Sequence, residues 1–211
     1  MSNRRRATTI NRAEATLLFT PANLRAVLEL ATHEDWSAGT SWYNVAHEEA
    51  RKLSDSYGLT VESAAGIIAA LSPQTSWEEN LRIADALCAD RTVSVHTADA
   101  TRKALAILDG ALPLTVLGGK KVRSFYRNIL NPNRTGPVTI DRHAAAILAG
   151  LSTPEWNRTH EKKLERKHFY RIATAIYRSA AHEYGLLPHQ VQAISWLVQS
   201  NRSIPTDHGD F

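Results

Sequence analysis

Apolar residues recur at helical spacing along most of this chain, and no stretch alternates apolar with polar residues for more than about four positions. Helix is therefore the one regular element with enough sequence behind it, and an all-α fold is expected. The punctuation agrees. Thr20-Pro21 opens a helix whose stripe is Leu24, Val27, Leu28 and Leu30. A second helix is expected from about Ser41 to Tyr57, stopped by Gly58. Thr60 caps a third, carrying Val61, Ala64, Ala65, Ile67, Ile68 and Leu71. After Ser72-Pro73-Gln74-Thr75 breaks that pattern, Ser76 and Glu79 form a capping-box signature for a fourth, with Leu81, Ala84 and Leu87. Further helices are expected near 98–109, 119–130, 141–149, 162–184 and 188–199. Their joins carry Asp109-Gly110, Asn131-Pro132-Asn133 and Gly185 before Pro188.

With 211 residues, 43% of them apolar, and five Trp, the chain can bury a core. The expected organisation is a flexible segment over 1–18, one all-α domain of two helical lobes over 19–202, and a flexible tail over 203–211. Cys88 is the single cysteine, which excludes an internal disulfide and any cysteine-built metal or iron–sulfur cluster. That fits a reducing cytoplasm, the expected location. No run approaches the roughly 18 apolar residues of a membrane span. The opening MSNRRRATT lacks the apolar core of a signal peptide. A net charge of +4 makes a polyanion a fitting partner, with the distribution of charge mattering more than its sum. Asp207-His208-Gly209-Asp210 has metal-ligand residue types but reads as a solvated tail, so no metal and no cofactor is expected.

Three segments could carry chemistry. In Gly136-Pro137-Val138-Thr139-Ile140-Asp141-Arg142-His143, an extended apolar triplet meets an alanine-rich helix that Gly150 closes. Asp141 sits at the join, as a helix cap or as a carboxylate presented above that helix. In Leu71-Ser72-Pro73-Gln74-Thr75, a polar turn strands Gln74 with a donor and an acceptor. The turn either links two helices or offers Gln74 to a base edge. In Leu117-Gly118-Gly119-Lys120-Lys121-Val122-Arg123, two glycines precede a helix start, with Arg127 one turn further. A solvated basic helix start and a phosphate-binding one share that pattern.

In this order the three segments resemble the helix–hairpin–helix DNA glycosylase superfamily, the endonuclease-III-like base-excision enzymes. Leu71-Ser72-Pro73-Gln74-Thr75 matches that family's Leu-Ser-x-Gln turn, and Gly118-Gly119-Lys120 aligns with its hairpin. Thr139-Ile140-Asp141-Arg142-His143 matches its Val-Asp-x-His segment, with Asp141 21 residues after Lys120. The likeness covers about residues 60–150. Where the family's hairpin usually reads Leu-Pro-Gly-Val-Gly-x-x-Thr-Ala, this chain has Leu114-Thr115-Val116-Leu117-Gly118-Gly119-Lys120-Lys121-Val122.

The resemblance implies a two-lobed helical bundle with a cleft between the lobes. It implies a monomer that binds double-stranded DNA, flips out a damaged, mismatched or modified base, and cleaves its glycosidic bond. Asp141 would be the catalytic carboxylate. Lys120 would be the amine of any accompanying strand cleavage, with Lys121 competing for that role. Ser72, Gln74, Gly118, Gly119, Lys121, Arg123, Arg127, Arg142 and His143 would meet DNA, although His143 equally suits helix packing. Two alternatives stand beside this reading: a nucleic-acid-binding protein on the same scaffold without catalysis, and an enzyme that alters a hypermodified base or nucleotide without excising it.

In the C-terminal third, the mixed charges from Arg158 to Arg171 read as a solvated face, with Phe169, Ile172, Ile176 and Tyr177 behind it. Gln192 and Trp196, four residues apart, share a helix face. With Trp42 and Trp77 they are candidates either for a base pocket or for ordinary core packing.

Overall fold

A computed structural model of the chain describes residues 13–93 and 97–203, and all regular structure among them is helical. Residues 13–18 are helical (α1). They are followed by α2 (Pro21–Glu29), α3 (His33–Tyr57), α4 (Val61–Leu71), α5 (Trp77–Asp90), α6 (Ala98–Leu108), α7 (Pro113–Val116) and α8 (Lys120–Leu130). Then come α9 (Arg142–Ala149), α10 (Thr153–His160), a 3-10 turn (Glu161–Lys163), α11 (Lys167–Tyr184) and α12 (Pro188–Ser203). The first dozen residues and the tail after Ser203, with Asp207-His208-Gly209-Asp210, lie outside the described residues.

The starts written into the sequence form as local hydrogen bonds. The Thr20 side chain accepts from Asn23 N, Thr60 from Ser63 N, and Ser76 from Glu79 N. Gly150 and Gly185, each at φ 67, end α9 and α11 in the left-handed conformation that glycine adopts without strain.

Three boundaries differ from expectation. α3 begins at His33, not Ser41: Thr32 N donates to Asp35 Oδ2 at 2.9 Å and Asp35 N to Thr32 Oγ1 at 3.2 Å. That reciprocal cap starts the helix ahead of Ser37, Gly39, Thr40 and Ser41, weak helix formers that mask it. The helix expected over 162–184 begins only at Lys167, as α11, and an unexpected helix precedes it: Ser152 N donates to the Glu155 carboxylate at 2.8 Å, starting α10. The N-terminal 18 residues are not wholly outside the fold either. Ala15 and Phe19 are buried, and Glu14 pairs with Lys163 at 2.8 Å and Arg166 at 3.6 Å. Part of the face expected to be merely solvated therefore ties down α1.

The chain divides into two compact units, the first comprising Met1–Trp42 and Pro137–Pro205, the second Tyr43–Gly136 and Thr206–Phe211. The first unit has its core in Phe19, Leu24, Leu28, Val138, Ile140, Ala144–Leu148, Trp156, Phe169, Tyr177 and Ile194. Within it α3 meets α12 so closely that a Cβ on Gly39 would lie 2.7 Å from the Ile194 backbone. In the second unit α4 is central: every residue from Ala64 to Leu71 is buried, against α5, α6, α7 and α8. A helix apolar all round must be enclosed, and this one is.

Cys88 lies half-buried on α5, and burial, reinforced by Asp85, pushes its thiol up to about 11. Alkylation by iodoacetamide at pH 8, followed by intact mass, is expected to run at least about tenfold slower than for a free thiol. Labelling at the free-thiol rate would contradict this burial.

Candidate functional site

In the first unit, Val138, Thr139 and Ile140 are buried and lead into Asp141, whose backbone is extended (φ −102, ψ −170). Asp141 is 3% exposed, and its Oδ1 accepts from Ala144 N at 2.8 Å. It is therefore the N-cap of α9, held where the helix dipole favours a negative charge.

Its neighbours form a bonded group. Arg142 Nε donates to His143 Nε2 at 3.4 Å. His143 Nδ1 is hydrogen-bonded to Thr153 Oγ1 at 2.9 Å. The same ring meets Trp196 edge to face, with centroids 6.3 Å apart. His143 thus packs α9 against α10 and α12, which is the alternative to a phosphate contact. Tyr177 is fully buried. Its hydroxyl lies 3.2 Å from Ser195 Oγ and 3.4 Å from Ala144 O. Burial pushes this hydroxyl's pKa well up, and the Asp141 charge adds to the rise against the Ser195 bond, which lowers it. Gln192 is buried and Trp196 half-buried on the same α12 face.

In the second unit, Ser72 is buried with its hydroxyl donating to Ala69 O at 3.0 Å, so it serves the end of α4 rather than a surface. Gln74 is exposed and holds φ 64. The left-handed region costs a residue with a Cβ about 1–2 kcal/mol, and outliers of this kind cluster at functional turns. Gln74→Gly is expected to raise stability by up to about 1 kcal/mol in thermal unfolding. An unchanged or lower melting temperature would show that the turn does not strain Gln74.

Between α7 and α8 the chain turns through Leu117, Gly118 and Gly119. Gly119, at φ 67 and ψ 151, starts α8 with no side-chain cap. Both glycines and Lys120 are exposed, and Lys121 is half-buried. The Nζ of Lys103 lies 3.4 Å from where a Gly118 Cβ would stand. Arg123, half-buried, donates through Nη2 to Leu114 O at 2.6 Å and so pins α7 to α8, a use apart from the DNA contact expected of it. Arg127 is exposed.

The structure therefore groups Asp141, Arg142, His143, Gln192, Trp196 and the half-buried Trp42 in the first unit. Ser72, Gln74, Trp77, Gly118, Gly119, Lys120, Lys121, Arg123 and Arg127 fall in the second. Of the base-pocket candidates, Trp42, Gln192 and Trp196 lie in the first unit and the half-buried Trp77 in the second. Among the described residues no group of three or more His, Cys, Asp or Glu is placed to hold a metal, and no helix is long and apolar enough to cross a membrane.

A family model, described as a family of unknown function (DUF7178), matches residues 6–203. The chain belongs to DUF7178. No curated protein and no solved structure matches it. The DUF7178 match spans nearly all the described parts of both units, so every candidate residue above lies inside it. Sequence inspection missed Thr153, Tyr170 and Ser195, and read Tyr177 as core only. The one available signal was the spacing of Tyr170 and Tyr177, seven residues apart and so on one helix face.

Proposed function

We propose that this DUF7178 protein acts on DNA as a base-excision enzyme of the helix–hairpin–helix glycosylase type, with Asp141 as the carboxylate that meets the developing sugar cation. The observation that carries the reading is the setting of that side chain. Asp141 is shielded from water, and its cap bond uses Oδ1 alone of its two carboxylate oxygens. A carboxylate in such a shielded position attracts a cation far more strongly than one in water.

In the reaction, the flipped nucleotide loses its base with the electron pair of the glycosidic bond. The sugar is left oxocarbenium-like, and Asp141 stabilises it or activates the incoming nucleophile. In the second unit, backbone N–H groups at the start of α8 receive a phosphate across Gly118-Gly119, with Lys120, Lys121 and Arg127 adding charge. Gln74, exposed on its turn, is offered to a base edge.

A second reading, a DNA-binding protein without catalysis, is favoured by the same cap bond, which is all that a structural N-cap requires. The test is a panel of duplexes, each with one modified or mismatched base, assayed for abasic sites and for altered nucleosides. Release by wild type and loss of release in Asp141→Asn is the expected result. Duplex binding without release supports the second reading, and a base altered in place indicates an enzyme that modifies without excision. Neither release nor binding overturns both.

A further inference from the structure

The segment entering Asp141 has no strand beside it, yet Val138, Thr139 and Ile140 are buried, so their backbone groups need partners from elsewhere. Tyr170 on α11 supplies two of them. Its hydroxyl donates to Val138 O at 2.9 Å and accepts from Ile140 N at 3.3 Å. In an extended chain, a carbonyl and the N–H two residues on face the same side, so this one hydroxyl stands where a neighbouring strand would stand.

Two helical turns along the same face of α11, the Tyr177 hydroxyl reaches Ala144 O at 3.4 Å and Ser195 Oγ at 3.2 Å. Ala144 is the residue whose N–H holds Asp141 Oδ1. The main chain is thus held three residues before Asp141 and three residues after it, by one helix. Ser195 Oγ, also 2.9 Å from Gln192 O, has one proton to place on that carbonyl or on the Tyr177 hydroxyl, while Tyr177 gives its own proton to Ala144 O.

We propose that Tyr170 and Tyr177 form a clamp on both sides of Asp141 and are the positioning residues of its carboxylate. The functional consequence rests on the glycosylase reading, whereas the clamp itself does not. Both hydroxyls are occupied by main chain or by Ser195, and Tyr177 is fully buried, so they act through Asp141. A Phe at either position keeps the ring and removes only the bond. The carboxylate then loses its fixed place, and displacement by about 1 Å is enough to slow a reaction by up to about a hundredfold.

The experiment measures amide hydrogen exchange and excision in wild type, Tyr170→Phe, Tyr177→Phe and Ser195→Ala. Ser195→Ala removes the other partner of Tyr177 and is the control that keeps the bond to Ala144 O, and Tyr170→Phe tests the clamp by itself if Tyr177→Phe does not fold. Exchange at the Ile140 amide is expected to quicken about fivefold or more in Tyr170→Phe and to stay near wild type in Ser195→Ala. Ala144 is expected to lose protection in Tyr177→Phe and to keep it in Ser195→Ala, where the Tyr177 proton stays on Ala144 O. On a duplex that wild type processes, kcat is expected to fall at least about tenfold with KM unchanged, the pattern of a lost transition-state interaction. Unchanged exchange at Ile140 in Tyr170→Phe overturns the clamp. Altered exchange with unchanged kcat overturns the positioning role. A wild type that excises nothing removes the glycosylase reading, and exchange at Ile140 and Ala144 then decides the clamp alone.

Discussion

Asp141→Asn is expected to reduce base release by at least about a hundredfold while leaving the fold intact. The two effects separate because the proposed function gives the side chain a second task beside its cap bond. As a cap, Asp141 accepts from Ala144 N at 2.8 Å through Oδ1, and the amide oxygen of Asn accepts the same bond. Asn and Asp rank alike at this position, so the stability change is expected to stay within about 1 kcal/mol. As a charge beside a developing cation, Asn supplies nothing. Single-turnover release at saturating enzyme reads the second task, and thermal unfolding the first. A variant that unfolds early and releases base at the wild-type rate would make Asp141 a cap alone. Asp141→Ala adds a control, since it loses the cap too, at a cost of about 0.5–2 kcal/mol.

The second large effect is expected at Gly66. Alanine is intrinsically the better helix former by about 1 kcal/mol, so a surface position would gain from the change. Gly66 lies in the middle of α4, where a Cβ would stand 2.6 Å from Pro113 Cγ and 2.8 Å from Pro113 Cβ. A proline ring has no rotamer by which to move away, so α7 itself must shift. Gly66→Ala is therefore expected to destabilise by about 1–3 kcal/mol, the usual cost of overpacking a filled core. Since α7 leads through Leu117 into Gly118-Gly119, the shift also displaces the turn assigned to the phosphate. Weaker duplex binding should accompany the lower melting temperature. Stability at or above wild type would show that α7 is loosely held against α4.

Much of the local architecture was legible because its causes are local. Thr20, Thr60 and Ser76 each accept from the backbone three residues on, and Asp141 does the same at α9. Such bonds need only the right residue at the right spacing. The start of α3 was not legible, because Gly39 reads as a helix breaker until Ile194 is seen packed against it. α10 was hidden for a related reason. Its length is set by Trp156 entering the core beside Phe19, with ring centroids 5.5 Å apart, and that partner lies far back in the chain.

The candidate site divides along the same line. That Gln74 sits on a turn, that two glycines precede a basic helix start, and that Asp141 stands at the start of the next helix were all determined by the sequence alone. Only the tertiary structure decided that Ser72 and Arg123 spend their polar groups inside the fold, that His143 is tied to Thr153, and that Tyr170 and Tyr177 grip the chain around Asp141. The physical reason is the range of each interaction. Caps and turns close within about four residues and follow from spacing. A tyrosine hydroxyl that meets a carbonyl 32 residues away, as Tyr170 meets Val138, finds its partner only after the hydrophobic core has brought the two segments together.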